Sequence, residues 1–267
     1  MQSPGPVLRI LKSLYYPSYR WILRIRCWHA DRYAGVPSTA CVTAYPPALL
    51  RFRVNGSLGA NRFLEVGERV GQDIQAALLN LVKGIEPRQS VLDFGCGCGR
   101  TLLWLIRQFP DTRFHGTDVD AEAIEWRRRN LRSAEFRVNS PLPPLPYDDE
   151  QFDLIYALSV FTHLSDAHQR SWLPELRRIL CRGGTLLLTV HGEEVWKHLS
   201  AEQQKRVRSE GFLFERSKKL RGIVPDWYQT AYHTENYELA TVGLHFRVLT
   251  YARCAMGYQD VLIAQRD

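Results

Sequence analysis

Short apolar runs alternate with helix-length amphipathic segments along most of the chain after residue 85. The apolar runs QSVLDF, TRFHGTD, AEFRVN, QFDLIYALSVF and TLLLTVHG are bounded by turn residues, which is typical of buried strands. Other segments, such as RTLLWLIRQF and DAHQRSWLPELRRIL, place apolar residues at helical spacing. Because strand and helix alternate, we predict a parallel sheet with helices on both of its faces.

The end of the chain departs from this alternation. The segments HFRVLTYAR and YQDVLIAQR have no helix-length segment between them, so we predict that they pair antiparallel as a hairpin. A chain of 267 residues has room for one large α/β domain with an extension. We therefore divide it into an N-terminal basic helical extension or cap, 1–60, and a main domain, 61–267, in which 193–243 is an insertion on the substrate side.

Charge changes this picture only near the N-terminus. Residues 1–60 hold eight Arg and Lys and one acid, Asp31, whereas the other 207 residues hold 27 basic and 27 acidic residues. Within residues 1–30, basic residues alternate with Leu, Ile and Trp in what we predict to be two amphipathic helices broken at Pro17. The uncharged runs are too short for a signal peptide or a transmembrane helix, so we expect a cytoplasmic protein.

Three interpretations of residues 1–30 stay open. The segment is a helical cap packed on the main domain, a basic aromatic helix lying on the inner face of an anionic membrane, or a docking element for nucleic acid or an acidic partner. The balanced charge of the main domain argues against a nucleic-acid track. We interpret Arg51 and Arg53, in RFRVNG, as a solvated strand face, with contact to an anionic substrate group as the alternative.

The loop GCGCG joins the first predicted strand to the first predicted helix. Gly95, Gly97 and Gly99 are spaced G-x-G-x-G, whereas the dinucleotide fingerprint is G-x-G-x-x-G. Small residues at this place let backbone N–H groups and a helix N-terminus approach a ligand closely. Asp93 precedes the first glycine by two residues, and its charge would repel a pyrophosphate. We therefore predict a ligand that carries less negative charge than NAD.

The two cysteines of this loop, Cys96 and Cys98, raise the alternative of a metal or redox site. A structural zinc site needs four ligands, usually two close pairs of Cys or His, and the sequence has no second pair. Redox motifs favour C-x-x-C over C-x-C. We therefore predict no metal and interpret the two thiols as small packing residues. The six cysteines of the chain are scattered, which indicates reduced thiols rather than a disulfide framework.

Several motifs, in this order along the chain, resemble the class I S-adenosylmethionine-dependent methyltransferases. They are the loop DFGCGCG that starts at Asp93, GTDVD, LPYDDEQFDLI, RRILCRGGTLLLT and the closing hairpin. The resemblance covers residues 85–190 and 244–266. It implies S-adenosylmethionine as the cofactor. It also implies an α/β fold with a Rossmann-like, doubly wound, seven-stranded sheet that is mostly parallel with an antiparallel last strand, here with an N-terminal helical extension.

The resemblance also implies roles for single residues. The methionine part of the cofactor would lie against Gly95 and Gly97, with Asp93 near its ammonium group. Asp118 would accept hydrogen bonds from both ribose hydroxyls, and Asp120 is the better candidate for the cap of the next helix. The remaining implied contacts are Val119 beside the adenine, Asn139 at the adenine amino group and Ser159 lining the pocket through its backbone.

Methyl transfer to a hydroxyl usually needs a positioned base, whereas an amine needs only to be uncharged. The histidines predicted near the carboxyl edge of the sheet, as catalytic or substrate-contacting groups, are His163, His191 and His233. Each is equally explained as a helix cap or a polar wall residue, and we expect Tyr228 and Tyr232 to wall the pocket.

From these candidates we predict a bacterial-type enzyme that methylates a hydroxyl of a saccharide or another small polar acceptor. The alternatives are N-methylation of a small amine, and a non-catalytic protein that keeps the cofactor fold and docks through its basic N-terminus. An NAD-dependent oxidoreductase is the most distant alternative, because the loop spacing differs from the dinucleotide fingerprint.

Overall fold

The strands and helices of the protein come from a computed structural model. The residues that the structure describes are 19, 21–35, 44–82, 84–85, 90–216 and 229–267. The predicted helix break at Pro17 and the predicted wall residue Tyr228 lie outside these residues. Residues 21–32 are helical. No helix in the described ranges combines the length and the apolar character that crossing a bilayer requires.

The described chain contains nine strands. They are β1 Ser90–Phe94, β2 Arg113–Asp118, β3 Ala134–Val138, β4 Phe152–Ala157, β5 Leu180–Val190, β6 Phe212–Glu215, β7 Thr230–His233, β8 Arg247–Met256 and β9 Gln259–Gln265. Seven of them form one sheet in the order β3-β2-β1-β4-β5-β9-β8. Strands β1 to β5 pair in parallel, and β9 runs antiparallel to both of its neighbours. The predicted Rossmann-like sheet and its closing hairpin are confirmed.

Eight helices of the described chain are labelled in order. They are α1 Ala48–Asn55, α2 Ala60–Leu79, α3 Arg100–Gln108, α4 Ala121–Asn130, α5 Asp166–Ile179, α6 Glu193–Trp196, α7 Ala201–Glu210 and α8 Glu235–Gly243. A 3-10 turn, Phe161–His163, follows β4. Because β1 to β5 are parallel, the loops that follow β1, β2, β3 and β4 meet at one edge of the sheet, where ligands bind in such folds.

The two faces of the sheet build two separate cores. Along β1, Val91 packs into a cluster that includes Ile74 of α2 and Leu102 of α3. The next residue, Leu92, packs with Trp172 of α5 on the opposite face. Neighbouring strand residues point to opposite faces, so a central strand that is covered on both sides needs an unbroken apolar run. This explains why VLDF lacks the polar alternation of a half-exposed strand.

The insertion at 193–243 contains two strands in addition to helices. Strands β6 and β7 pair antiparallel as a separate two-stranded sheet. A small cluster formed by Trp196, Val207 and Leu213 lies under them. Strands β6 and β7 were not predicted from the sequence, because each has four polar and apolar residues in no regular alternation.

The interpretation of Arg51 and Arg53 as a solvated strand face is wrong. Both residues lie on α1, which begins after Pro47 and ends at Gly56 in a left-handed backbone conformation. Arg51 is 1% exposed, and its Nε donates a hydrogen bond of 2.8 Å to the Leu58 carbonyl. The alternation of RFRV was misleading because two periods of a strand cannot be distinguished from one turn of a helix over four residues.

Asp31 fastens the N-terminal helix to α1. Its Oδ1 accepts a hydrogen bond of 2.7 Å from the Ala48 N–H at the start of α1. The same oxygen lies 3.3 Å from the Arg51 guanidinium. Leu23 and Cys27 of the N-terminal helix pack with Ala48 beside this contact. The single acid of residues 1–60 therefore holds the helical residues 21–32 against the rest of the chain.

We predict that Asp31→Ala lowers the free energy of unfolding by about 1–2 kcal/mol, because one helix cap is lost and the ion pair of a half-exposed carboxylate is broken. Urea unfolding followed by circular dichroism measures the change. Asp111→Ala, at an exposed aspartate between α3 and β2, is the matched control. Equal unfolding midpoints for the two variants would contradict the fastening role of Asp31.

Candidate active site

The loop between β1 and α3 is held against two other elements at its first two glycines. Gly95 has φ 81° and Gly97 has φ 51°, in the left-handed region that favours glycine. A Cβ on Gly95 would lie 2.2 Å from Val160 Cγ2, after β4. A Cβ on Gly97 would lie 2.8 Å from Val54 Cγ2, on α1. Any larger residue would therefore push the loop away from both neighbours.

The third glycine lies against a buried cation. Gly99 has φ 65°, and its Cβ would lie 2.6 Å from Arg127 Nε, on α4. The guanidinium of Arg127 is fully buried, 4.7 Å from the centre of the Trp126 ring. None of its three nitrogens has a hydrogen-bond partner among the described residues. Burial lowers the pKa of Arg127 to about 10, and the positive charge stays beneath the loop.

A cavity of about 600 Å³ opens beside this loop, at the carboxyl edge of the parallel strands. Its walls bring together eight of the residues predicted from the sequence, namely Asp93, Gly95, Gly97, Asp118, Val119, Asn139, Ser159 and His163. Neither His191 nor His233 is among the lining residues in the described chain.

Part of the wall comes from α1 and from the insertion that was predicted to lie on the substrate side. Helix α1 supplies Leu50, Arg53 and Val54. Residues at and just after β6 supply Phe214 and Arg216. These segments lie outside the motifs, and only the fold brings them to the loop. The signal available in the sequence was the apolar spacing of Leu50 and Val54, four residues apart on one helix face.

Arg53 ties α1 to the other side of the cavity. Its Nη1 lies 3.0 Å from Asp120 Oδ2 and 2.8 Å from Glu122 Oε2, at the start of α4. These carboxylates raise the pKa of Arg53 although its partial burial opposes them. The ion pair spans the mouth of the loop, so α1 is a wall of the cavity rather than a distant appendage.

Asp118 ends β2 with both carboxylate oxygens facing N–H groups. Oδ2 accepts a hydrogen bond of 2.7 Å from Gly97, and Oδ1 accepts one of 2.8 Å from Asp120. A carboxylate oxygen has more than one acceptor site, so each oxygen keeps capacity for a ligand. The Asp120 side chain accepts from the N–H groups of Glu122 and Ala123. The prediction that Asp120, and not Asp118, caps this helix is confirmed.

Asp93 is the most strongly perturbed carboxyl group of the cavity wall. It is 4% exposed on β1, and burial raises its pKa to about 7. The charge of Asp118 raises this pKa further, whereas Tyr156, Arg100 and Arg127 lower it. A carboxylate in this position is stabilised by any cation that enters the cavity. The predicted preference of the loop for a ligand with less negative charge than NAD therefore has a local electrostatic basis.

Asn139 and Ser159 close two further strand ends. The Asn139 N–H donates a hydrogen bond of 3.0 Å to the Asp118 carbonyl, and its side-chain Oδ1 lies 2.9 Å from the Thr117 hydroxyl. Ser159 has φ 57°, and its N–H donates to Thr189 Oγ1 at 2.8 Å. Both residues are thus fixed by their neighbours at the cavity wall before any ligand is considered.

Cys96 and Cys98 are packing residues of the loop. Both thiols are buried in the core cluster under the sheet. Burial raises the pKa of Cys98 to about 12 and that of Cys96 well above the usual range. Thiolate character is what makes a cysteine reactive, so burial makes both thiols inert.

Of the three histidines predicted from the sequence, His163 is the one that lines the cavity, and His168 of α5 lines it as well. It lies in the 3-10 turn after β4, and burial lowers its pKa, which favours the neutral ring. Its Nδ1 lies within hydrogen-bonding distance of the Gln229 carbonyl. A carbonyl only accepts, so Nδ1 carries the proton and Nε2 is the basic nitrogen of the neutral ring.

His191 stands behind His163. The two ring centres are 6.3 Å apart in an edge-to-face arrangement. Burial, and then the neighbouring His163, lower the pKa of His191 to about 4. Its Nδ1 lies 3.2 Å from the Ala231 carbonyl of β7, and its ring centre lies 5.9 Å from that of Tyr232. His191 thus joins the end of β5 to the insertion.

His233 is enclosed in a separate buried cluster. Its Nε2 lies 2.9 Å from Gln169 Nε2 and 3.3 Å from Glu238 Oε1. Burial lowers the pKa of His233 to about 3 and raises that of Glu238 to about 8. Both shifts favour a neutral pair, because neither charge is solvated there. The structure therefore places His233 inside the protein wall and His163 at the cavity.

Comparisons with known proteins agree with this geometry. A family model of the methyltransferase domain matches residues 92–186. Methyltransferase GfsG of Streptomyces halstedii is 33% identical over 129 residues, which cover 46% of this chain and 44% of that protein. The malonyl-[acyl-carrier protein] O-methyltransferase of Herminiimonas arsenicoxydans is 31% identical over 118 residues, which cover 44% of this chain and 43% of that protein. The chain thus spans less than half the length of these curated relatives.

A solved structure extends the comparison to the fold. A SAM-dependent methyltransferase from Methanosarcina mazei matches with a TM-score of 0.54 and 22% identity, covering 71% of this chain and 96% of that chain. At this identity the match concerns the fold. The family model identifies residues 92–186 as a methyltransferase domain, and the sheet order and this structure support the class I, S-adenosylmethionine-dependent methyltransferase fold for the chain around it.

We predict that Asp93→Asn raises the free energy of unfolding at pH 8 by about 2–4 kcal/mol and has little effect near pH 4. The native carboxyl group holds its proton up to about pH 7, whereas the unfolded chain loses it near pH 4. The cost of burying Asp93 therefore grows between these values and is complete above pH 7. Urea unfolding at pH 4, 6 and 8 measures it.

The control for this prediction is Asp111→Asn, at an exposed position. It should reproduce the stability of the wild type at all three pH values. A stability gain in Asp93→Asn that is the same at every pH, or a loss at pH 8, would show that burial of the carboxylate is not the cause.

Proposed function

We propose that the protein transfers the methyl group of S-adenosylmethionine to a hydroxyl of a small polar acceptor, with a saccharide as the leading candidate. The observation that carries this proposal is the pair Asp93 and Asp118 on either side of the glycine loop. One is a buried carboxyl group that a cation would stabilise, and the other offers two acceptor oxygens at the end of β2.

The residues of the loop fit the cofactor. Gly95 and Gly97 adopt the left-handed backbone conformation that keeps the loop packed on Val160 and Val54, and both line the cavity, so the loop backbone could lie against the methionine part. Asp93 would hold the ammonium group, and Asp118 would hold the ribose hydroxyls. Val119 and Asn139 would flank the adenine, with Ser159 at the opposite wall. When bound, the cofactor supplies a methyl group that is already activated on a sulfonium centre.

His163 is the proposed general base. A hydroxyl acceptor must lose its proton as the new bond to carbon forms, and the basic nitrogen of a neutral imidazole can take it. The Gln229 carbonyl fixes the tautomer, and the lowered pKa keeps the ring neutral at physiological pH. His191 is a positioning residue behind His163. For His233 we propose a structural role within its buried pair with Glu238.

The rest of the wall would hold the acceptor in line with the methyl group and exclude water. Leu158, Leu164 and Phe214 are apolar, whereas Arg216 and Gln229 offer polar contacts. A mixed lining of this kind suits a small molecule with several polar groups. One relative is an O-methyltransferase by name, which supports oxygen as the acceptor atom. N-methylation of a small amine is the nearest alternative. We also propose that the protein is located in the cytoplasm.

A non-catalytic protein that keeps the cofactor fold is the alternative from a different class. The buried carboxyl group of Asp93 favours a protein that binds the cofactor. Ionisation of this group costs folding free energy as the pH rises towards 7, and a cationic ligand would offset that cost.

We predict that isothermal titration calorimetry detects binding of S-adenosylmethionine and S-adenosylhomocysteine but not of NAD. Asp118→Ala should weaken the binding of both by at least about tenfold, because hydrogen bonds of the ribose to a charged group are lost. Asp111→Ala is the matched control and should bind like the wild type. Equal affinity of the Asp118 variant, or stronger binding of NAD, would contradict the cofactor assignment.

We predict that release of S-adenosylhomocysteine in a screen of sugars, alcohols and amines is fastest with a hydroxyl acceptor. With that acceptor, His163→Gln should lower kcat by about 100-fold while cofactor affinity stays unchanged, because only the proton acceptor is lost. The exposed His198→Gln is the control. Turnover of amines alone would favour N-methylation, and an unchanged kcat in the His163 variant would rule out its role as base.

A further inference from the structure

The outer face of the N-terminal helix carries large apolar side chains. Leu23 and Cys27 point inward, towards α1. Trp21, Ile25 and Trp28 follow one another at intervals of four and three residues, which places them on one stripe of the helix, opposite the buried stripe. Their exposed fractions are 66%, 41% and 61%. Two tryptophans and an isoleucine thus face away from the part of the chain that the structure describes.

Arginines surround this stripe. Arg24, Arg26 and Arg32 are all exposed, and the Arg32 guanidinium lies 5.8 Å from the centre of the Trp28 ring. The single acid of the helix, Asp31, contacts Ala48 and Arg51. The outer face therefore combines apolar area with an excess of positive charge.

We propose that this outer face docks onto the surface of an anionic lipid membrane. The helix lies parallel to the surface, with Trp21, Ile25 and Trp28 at the level of the acyl boundary and the arginines at the phosphate groups. Indole rings prefer this interface because one part of the ring is apolar and the N–H can stay hydrated. A helix with an apolar stripe between basic residues has the composition of interfacial membrane anchors.

Two other occupants fit the face less well. A second copy of this chain would bring the arginines of both helices together, and like charges in a symmetric contact oppose association. Nucleic acid would satisfy the arginines, but it would leave the exposed isoleucines Ile22 and Ile25 against a charged backbone. An anionic bilayer satisfies both the charge and the apolar stripe.

The contacts between the N-terminal helix and α1 determine which side of the helix can face the membrane. Asp31 and the contacts of Leu23 and Cys27 fix the inner stripe on α1, so the apolar stripe cannot turn inward without breaking them. Helix α1 in turn supplies Leu50, Arg53 and Val54 to the cavity wall. Docking would place the cavity one helix layer from the membrane. The proposal goes beyond the proposed methyl transfer and does not depend on it.

Cosedimentation of the chain of residues 1–267 with vesicles tests the proposal. We expect binding to vesicles of phosphatidylcholine with phosphatidylglycerol, weaker binding to phosphatidylcholine alone, and a decrease as salt is raised. Trp21→Gln/Trp28→Gln should weaken binding to the anionic vesicles by about tenfold or more, because the buried apolar area is lost. Tryptophan fluorescence should shift to shorter wavelength on binding in the wild type and lose this shift in the variant.

The matched control is Leu142→Gln/Leu244→Gln, which changes two exposed leucines outside the N-terminal region and should bind like the wild type. Circular dichroism and calorimetry with S-adenosylhomocysteine establish that each variant is folded and has an intact cavity. No binding to anionic vesicles, or equal binding of the tryptophan variant, would overturn the proposal. Two other results would also overturn it if the tryptophan substitutions abolished them. One is a concentration-dependent dimer in the absence of lipid, and the other is tight binding to a DNA duplex.

Discussion

Close contact at three glycines of one loop is the constraint on which the site depends. Each glycine meets a different element, because Gly95 lies against the turn after β4, Gly97 against α1 and Gly99 against Arg127 of α4. Interiors are packed too tightly for such contacts to be relaxed one at a time. The loop therefore fixes the relative positions of α1, α4 and the end of β4. The cavity is the space that these elements leave in front of the loop.

Charged side chains lie on both sides of the glycine loop. Arg127 is buried behind the glycines without a hydrogen-bond partner among the described residues, and Asp93 and Asp118 lie towards the cavity. Burial opposes ionisation of both carboxyl groups, since it raises their pKa values. A cationic ligand would supply the missing counter-charge. This cost in the ligand-free protein is the physical reason to assign the loop to a cation rather than to a pyrophosphate.

The sequence predicts the framework of the fold well and the walls of the site poorly. The strands VLDF and TLLLTV are central, largely apolar runs bounded by turn residues, and the order of such runs along the chain determines the parallel sheet. Strands β6 and β7 were missed because four residues carry no clear period. Arg51 was misassigned because one helical turn resembles alternation. A helical wheel would have placed Arg127 beside Ala123 and Ile124, on the buried face of α4.

The histidines show a second limit of sequence. His163, His191 and His233 all lie near the carboxyl edge of the sheet. How far the rings of His191 and His233 lie from the cavity depends on contacts with β7 and α8, which exist only in the folded chain. The backbone hydrogen bond from His233 to the His191 carbonyl, 2.9 Å long, holds both rings behind the wall. Of these three histidines, only His163, in the turn after β4, lines the cavity. Loops and insertions thus decide which of the predicted side chains line the cavity, while strands decide where the cavity lies.

The crystal structure of the protein with S-adenosylhomocysteine would test the central claim most directly. We expect both ribose hydroxyls within hydrogen-bonding distance of the Asp118 carboxylate and the amino group of the ligand beside Asp93. The loop backbone should lie against the part of the ligand between its ribose and its amino group. A ligand bound with its ribose away from Asp118, or with its carboxylate rather than its amino group at Asp93, would contradict the assignment of the loop to a cationic cofactor.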